Sequence, residues 1–317
     1  MHETFLKKYK PKLYKDFIID NEYIEFLNTL IEMDTLNILL IGNSSSGKSS
    51  LLDATIREYY SRDKIPIDNV LYINSLQEQG ISYYRNEVKT FCRTPSVIPG
   101  KKKFIVLDDI DTINEQSQQV FRNCIDKYSH NVSFIASCCN TQKVVESIQS
   151  RTTLIKLKPA SKNILQKILI KIKEKENIHI SEKAQDFILN ICNNSIRVLI
   201  NYMEKFNLLD EKISINKAKD ICTNISFYDL EKYTFEWFKK KNCENAIEII
   251  MEIYQKGYSV MDILDSYFHF IKTSDILIEE QKFKCISIIC KYISLFHTLH
   301  ENEIELVFFT HDLLTII

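Results

Sequence analysis

Gly42-Asn43-Ser44-Ser45-Ser46-Gly47-Lys48-Ser49 is the stretch that decides the fold. It follows a short apolar run at 36–41 and opens an amphipathic stretch at 48–59, so we expect a strand, a tight loop and a helix. The spacing is that of the phosphate-binding loop G-x-x-x-x-G-K-[ST]. Its glycines let backbone N–H groups surround phosphates at a helix N-terminus, where the dipole also favours anions. The stretch therefore predicts a nucleotide-binding α/β fold.

Alternating apolar and amphipathic segments extend this prediction to about residue 156. Four further apolar runs are typical of buried parallel strands, at 70–73, 104–107, 132–137 and 153–157. All five prolines fall at or before Pro159, and helical periodicity fills the rest, as at 162–174 and 181–192. We predict an α/β domain at 1–156, a small helical domain at 157–224 and a second helical domain at 225–317.

Composition excludes several classes of protein. The 317 residues are 45% hydrophobic and 26% charged with a net charge of −1, which excludes a globally disordered chain and a polycation. No apolar run approaches the ~20 residues of a membrane span, and the first residues lack a signal-peptide pattern. Nine cysteines without a Cys-x-x-Cys pair favour reduced thiols over a zinc site. We therefore expect an intracellular, non-secreted protein without membrane contact.

Residues for phosphoryl transfer can be assigned around the loop. We expect Lys48 to reach the β- and γ-phosphates of ATP and the Ser49 hydroxyl to ligate Mg²⁺. Asp108 and Asp109 end the apolar run at 104–107, so Asp108 is predicted to hold Mg²⁺ and Asp109 to polarise the attacking water. The next apolar run is followed by Asn140, which could orient that water or contact the γ-phosphate.

Arg151 and a group of three basic residues can each be interpreted in two ways, as functional residues or as ordinary solvated side chains. Arg151 precedes the last apolar run and could stabilise phosphoryl charge on a neighbouring subunit, although an exposed arginine is usually just solvated. Arg85, Lys89 and Arg93 are spaced by four on a predicted helix and form a basic stripe suited to a nucleic-acid backbone. From spacing alone, a solvated helix face explains the stripe equally well.

Together these motifs resemble the small subunits of replication factor C, which are AAA+ clamp loaders, over about residues 4–205. Lys8-Tyr9-Lys10-Pro11-Lys12 is similar to the family's E-K-Y-R-P-K segment near the adenine, and the loop is its Walker A element. The segment 85–91 resembles R-x-x-I-K-x-F, the family's helix that tracks DNA inside the ring. Three more segments resemble family motifs: 107–111 resembles L-D-E-A-D, 118–122 resembles Q-Q-A-L-R, and 148–152 resembles I-Q-S-R-C. The segment 139–141 is similar to sensor 1, and 195–197 is similar to the D-M-R of sensor 2.

The resemblance implies an AAA+ domain, an all-α lid and an all-α C-terminal collar. It implies a subunit of a hetero-pentameric clamp loader that uses ATP and Mg²⁺ to load a sliding clamp, of the proliferating-cell-nuclear-antigen type, onto primer–template DNA. The location would be the nucleus or a viral replication compartment, and the Ile, Asn and Lys bias favours an AT-rich genome, such as that of a large DNA virus. Arg151 would act in trans, and Arg85, Lys89 and Arg93 would contact DNA. The expected nucleotide-binding residues are Tyr9, Pro11, Gly42, Asn43, Ser44, Ser45, Ser46, Gly47, Lys48, Ser49, Ser50 and Arg197.

Departures from the family pattern leave other functions open. Asp109 stands where the family has Glu, one methylene longer, and Val198 replaces a second sensor-2 arginine. A misplacement of about 1 Å can cost ~10²-fold in rate. One alternative is therefore a structural subunit that binds nucleotide with little turnover. Another is a different DNA-associated AAA+ ATPase, such as an origin-binding or recombination-linked one.

Overall fold

The computed structural model forms two compact units. One comprises Met1–Ile172 with Asn194–Glu204, and the other comprises Lys173–Asn193 with Lys205–Ile317. The three-part division at 156 and 224 stays a prediction. The structure describes residues 3–19, 21–62, 64–74, 84–192, 194–209, 211–222, 225, 227–274, 276–296 and 298–315.

A parallel five-stranded sheet forms the centre of the first unit, with strand order β2-β3-β4-β1-β5. All five predicted strands are confirmed. Aliphatic and aromatic runs suit such strands because helices cover both faces of a parallel sheet, and every residue of β4 is buried. The strands are β1 Ile38–Ile41, β2 Val70–Asn74, β3 Lys103–Asp108, β4 Val132–Cys138 and β5 Thr153–Lys156.

Strand order decides where the predicted site forms. β4 lies between β1 and β3, and parallel strands present their carboxyl ends at one edge of the sheet. The segments that follow β1, β3 and β4 therefore meet, and such an edge is where open α/β sheets bind ligands. These three segments carry the phosphate loop, the acidic pair and Asn140.

In the described residues of the first unit, six helices lie between or before the strands. The helix predicted at 48–59 is confirmed as α3, whose buried face packs on the sheet through Leu51, Leu52 and Ile56. A π-helical turn, Tyr84–Val88, leads directly into α4. The helices are α1 Phe5–Lys8, α2 Asn21–Glu32, α3 Lys48–Tyr60, α4 Lys89–Arg93, α5 Glu115–Tyr128 and α6 Glu146–Gln149.

Helices make up the described chain after β5, apart from one isolated bridge between Ile180 and Ile213. This confirms the predicted change from α/β to all-α structure. The core of the second unit is rich in aromatic side chains, and polar groups within it pair with one another, as where Trp237 Nε1 donates to the Tyr267 hydroxyl at 2.9 Å. In the described ranges, no helix is long and apolar enough to cross a membrane. The helices are α7 Lys162–Glu176, α8 Glu182–Ile191, α9 Ile196–Leu209, α10 Ile215–Cys222, α11 Phe227–Thr234, α12 Cys243–Gln255, α13 Val260–Thr273, α14 Glu279–Leu295 and α15 Ile304–Leu314.

Candidate nucleotide-binding site

The phosphate loop is a tight turn between β1 and α3 that requires both of its glycines. Gly47 has a φ of 93°, a left-handed conformation that costs a residue with a Cβ about 1–2 kcal/mol. Gly42 is required for a different reason, since a Cβ there would lie 3.1 Å from the backbone oxygen of Leu157 as well as 2.9 Å from Ser46 Oγ. Among the described residues no side chain caps α3, so the backbone N–H groups of its first turn are available to an anion.

Lys48 is a buried cation at the centre of this loop. Its side chain is 6% exposed, and Nζ donates to Gly42 O at 2.9 Å, Asn43 O at 3.0 Å and Cys139 Sγ at 3.3 Å. Within the described ranges it forms no ion pair, and a buried charge without a counter-charge is costly. Ser46 Oγ is also buried and has no hydrogen-bond partner among the described residues. The loop therefore fits the phosphates of a nucleotide.

Ser137, at the end of β4, joins the two predicted acidic residues. Its hydroxyl donates to Asp108 Oδ1 at 2.5 Å and accepts from the Asp109 backbone N–H at 3.1 Å. Asp109 itself has a φ of 53°, in the left-handed region that aspartate tolerates better than most residues. The sequence analysis did not assign a role to Ser137, although a polar residue ending a buried strand is a usable signal.

Burial raises the pKa of Asp109 above its ordinary value, and the Asp108 charge raises it further. The positive charges of Lys48 and Arg197 act in the opposite direction. A carboxylate with a raised pKa is a better proton acceptor than an ordinary one, which is the property needed in a general base.

Asp111 links the segment after β3 to the segment after β4. Its Oδ2 accepts from the backbone N–H groups of Cys139, at 3.2 Å, and Asn140, at 3.0 Å. The Asn140 side chain caps a short turn, since its Oδ1 accepts from Gln142 N at 2.9 Å. Cys139, rather than Asn140, is among the residues that line the cleft described next. The proposed contact of Asn140 with a γ-phosphate stays a prediction.

A cleft of about 560 Å³ opens over the phosphate loop within the first unit. Three predicted residues do not line the cleft themselves. The carbonyl groups of Gly42 and Asn43 accept from Lys48, which does line it, and Asp108 precedes the lining residue Asp109. The predicted residues that line the cleft are Tyr9, Pro11, Ser44, Ser45, Ser46, Gly47, Lys48, Ser49, Ser50, Asp109 and Arg197.

The cleft changes character away from the loop. There it is lined mainly by apolar side chains, which suit the flat face of a nucleobase. Lys171 is a further cation at the wall, near Asp16, whose pKa it helps to lower. The sequence analysis assigned no role to Lys171 or to the lining isoleucines from Ile168 onward, because they lie more than a hundred positions beyond the loop, whereas the apolar residues at 6 and 17–19 precede it. The apolar lining includes Leu6, Phe17, Ile18, Ile19, Ile168, Ile172, Ile196 and Ile200.

Arg151 lies away from the cleft of its own chain. Its Nε donates to Asp126 Oδ1 at 2.5 Å, and its Nη1 donates to Ser147 O at 2.8 Å. The arginine side chain is 30% exposed, so it is held in place yet still reachable from outside. This placement is compatible with action on a neighbouring subunit and does not provide a contact with the chain's own phosphates.

The helical segment 84–93 presents the basic stripe to solvent. Val88 and Cys92 face the core, whereas Arg85, Lys89 and Arg93 are exposed. In the described part of the chain, none of the three forms an ion pair. The structure therefore confirms that the three basic side chains share an exposed helix face, and their contact with DNA stays a prediction.

Two family models match the chain. The model of the ATPase family associated with various cellular activities, AAA, matches residues 38–159, and the model of the replication factor C C-terminal domain matches residues 231–293. The first match contains the phosphate loop, the acidic pair and Arg151, and it supports nucleotide binding and ATPase activity. The second match lies in the all-α part of the chain.

Curated relatives agree with both family models. A replication factor C small subunit of Archaeoglobus fulgidus is 29% identical over 220 residues, covering 69% of this chain and 68% of the relative. A putative replication factor C small subunit of Acanthamoeba polyphaga mimivirus is 26% identical over 272 residues, covering 86% and 84%. Replication factor C subunit 5 of mouse is 24% identical over 273 residues, covering 86% and 80%.

Among solved structures, the Holliday-junction branch-migration motor RuvB of Thermotoga maritima is similar with a TM-score of 0.54 at 10% identity. That match covers 74% of this chain and 80% of the RuvB chain, and it shows the AAA+ fold alone. The two family models and the relatives that span both halves of the chain agree with the site geometry. The chain therefore belongs to the AAA ATPases and, within them, to the replication factor C family of clamp-loader subunits.

Proposed function

We propose that the chain is an ATP-binding subunit of a hetero-pentameric clamp loader that places a ring-shaped sliding clamp on primer–template DNA. The observation that carries the proposal is the buried Lys48 ammonium, which has only neutral partners among the described residues and lies in a loop with free helix N–H groups. Family membership supplies the context in which this anion site would work.

Binding of ATP would use the two halves of the cleft. Lys48 would exchange its present carbonyl partners for the β- and γ-phosphate oxygens, since a charged acceptor binds an ammonium more strongly than a neutral one does. Tyr9 and Pro11 would contact the base beside the apolar wall. Ser49 and Asp108 would hold Mg²⁺, which neutralises charge developing on the phosphates.

Hydrolysis would depend on residues from two chains. Asp109 would accept the proton of the attacking water, and its raised pKa suits that task. Arg151 would stabilise the transferring phosphoryl group on the adjacent subunit, and Arg197 would contact the γ-phosphate from the wall of the chain's own cleft. Asn140 would orient the water.

Primer–template DNA would lie along the exposed stripe of Arg85, Lys89 and Arg93. Such contacts bind the phosphate backbone without reading bases and weaken steeply with salt. The partners would be the other clamp-loader subunits and a clamp of the proliferating-cell-nuclear-antigen type. The site of action would be the nucleus or a viral replication compartment.

A second candidate function is a subunit that binds ATP but hydrolyses little of it. The observation that favours it is Asp109, whose side chain is one methylene shorter than the family's Glu and projects from a left-handed backbone position. Such a subunit would still stabilise the complex by holding nucleotide and would still lend Arg151 to its neighbour.

ATP turnover by the assembled complex tests both candidates. We would compare wild type with Lys48→Ala and Asp109→Asn in this subunit, with and without primed DNA and clamp, using the exposed Lys64→Ala as the control. We expect both site variants to lose part of the clamp- and DNA-stimulated turnover.

The pattern of loss separates the candidates. Loss with Lys48→Ala but not with Asp109→Asn would favour the subunit that only holds nucleotide. Wild-type turnover in both variants, with unchanged ATP binding in Lys48→Ala, would contradict the proposed site itself.

A further inference from the structure

Two side chains from outside α4 bind the carbonyl groups at its C-terminal end. Lys103 Nζ donates to Phe91 O at 2.8 Å and to Thr94 Oγ1 at 2.7 Å. Asn131 Nδ2 donates to Cys92 O at 3.1 Å and to Thr94 O at 3.2 Å. The last carbonyls of a helix have no partner within the helix, so these bonds fix the end of α4.

Lys103 is the less expected of the two. It is 2% exposed, forms no ion pair within the described ranges, and has its Nζ 3.7 Å from the centre of the Phe91 ring. Burial lowers its pKa, which reflects the cost of keeping an ammonium group away from water. Helix-end carbonyls, a hydroxyl and an aromatic face compensate that cost, and a cation is favoured at a helix C-terminus.

The neighbouring lysines show that this contact is particular to Lys103. Lys101 Nζ donates to Tyr59 O at 2.8 Å, and Lys102 Nζ donates to Asp34 O at 2.8 Å. Both contacts are on parts of the first unit other than α4. Three consecutive lysines that suggest a basic surface in the sequence therefore serve in packing.

Both anchoring residues belong to the sheet framework. Lys103 begins β3, and its backbone N–H donates to Asn131 O at 3.0 Å, just before β4 begins. The end of α4 is thereby attached to two adjacent strands. Arg93, the last residue of α4, lies between Cys92 and Thr94, whose carbonyl groups both accept from Asn131.

We propose that Lys103 and Asn131 are positioning residues that hold the basic stripe of 84–93 in the geometry required for DNA contact. The inference rests on the proposed DNA contact of that stripe. Without the anchor, the C-terminal turn of α4 would fray, and Arg93 would spend part of its time out of reach of a phosphate.

Primed-DNA binding by the assembled complex tests the positioning role. Lys103→Met keeps the length and apolar stem of the side chain but removes the ammonium, and Asn131→Asp replaces the amide donor with an acceptor at a half-buried position. Lys101→Met is the matched control, since it removes an ammonium two residues away that does not contact α4. We expect roughly three- to tenfold weaker binding of primed DNA for Lys103→Met and Asn131→Asp, and wild-type binding for Lys101→Met.

A double-mutant cycle with Arg93→Ala separates positioning from general damage. If Lys103 acts through α4, Lys103→Met should weaken binding far less in the Arg93→Ala background than in wild type. Hydrogen exchange of the amides at 91–94 should be faster in Lys103→Met and unchanged in Lys101→Met. ATP binding should remain at the wild-type level in all of these variants.

The possible failures are distinguishable. If Arg93→Ala binds primed DNA like wild type, the proposed DNA contact of Arg93 fails, and the positioning role that depends on it fails too. If Arg93→Ala weakens binding but Lys103→Met and Asn131→Asp do not, only the positioning role is overturned. Fully additive losses in the double variant, or equal losses in Lys101→Met, would also overturn it.

Discussion

Arg151 Nε lies 2.5 Å from Asp126 Oδ1, so the arginine expected to act on a neighbouring subunit is held by a carboxylate of its own chain. This bond lowers the pKa of Asp126. Asp126 comes from α5 and Arg151 from the segment between α6 and β5, which means that two separate elements determine where the guanidinium points.

Arg151→Ala should abolish hydrolysis at the adjacent site of the complex while sparing ATP binding at its own. An arginine supplied in trans contributes about 10³–10⁵-fold to the rate in related phosphoryl transfer. The measurement is single-turnover hydrolysis in complexes in which every site except the adjacent one carries a substitution of its phosphate-loop lysine. Asp126→Asn should cause a smaller loss, because it frees the guanidinium without removing it. Equal loss of binding and hydrolysis in Arg151→Ala would contradict a role in trans.

Asp109→Glu should raise hydrolysis at the chain's own site if only the length of the carboxylate limits it. The longer side chain restores the reach that the family's Glu has, and a 1 Å change in position can change the rate by about 10²-fold. The check is turnover in a complex in which this subunit has the only intact phosphate loop, with Asp109→Asn as the inactive reference. A rate unchanged from wild type would show that another feature limits hydrolysis, for example the altered sensor-2 segment.

Asp109→Asn should stabilise the protein at neutral pH even as it impairs hydrolysis. Burial and Asp108 raise the folded-state pKa of Asp109, so the folded chain binds this proton more tightly than the unfolded chain. Ionisation of Asp109 therefore costs stability as pH rises from the unfolded pKa, near 3.8, through the higher folded value. Asparagine removes that cost.

Denaturation as a function of pH checks this effect. The stability difference between Asp109→Asn and wild type should grow as pH rises through that window and stay constant above it. Asparagine also suits a left-handed position, which adds a pH-independent gain. A difference that does not vary with pH would show that only the backbone preference is at work.

Gly47→Ala should weaken nucleotide binding, and Gly257→Ala should not. Both glycines have left-handed φ values, 93° and 95°, and both have open space where a Cβ would lie. Each substitution should therefore cost about 1–2 kcal/mol of local stability from backbone strain alone. Only Gly47 begins the helix that faces the phosphates, so only its variant should raise the dissociation constant for ATP. Equal ATP affinities in the two variants would show that the loop tolerates the strain.

Local sequence was enough to predict the elements around the site. The loop glycines, the apolar runs and their spacing encode short-range geometry, because φ > 0, strand burial and helix periodicity depend on neighbours in the chain. For that reason all five strands and α3 could be predicted within a few residues. Lys48 and the acidic pair could be assigned since each sits at a fixed offset from such an element.

Tertiary structure decided which distant side chains meet. Ser137 bridges Asp108 and Asp109 because β4 pairs with β3, and the apolar wall of the cleft combines residues that precede the loop with residues more than a hundred positions beyond it. Lys103 shows most clearly what the sequence pattern alone does not predict. In the sequence it is the third of three consecutive lysines, and only the packing of β3 against α4 turns it into a buried helix anchor. The sequence by itself determined the phosphate loop, the strands and the family, because these depend on local spacing. The partner of each buried charge depended on long-range packing, which local spacing does not encode.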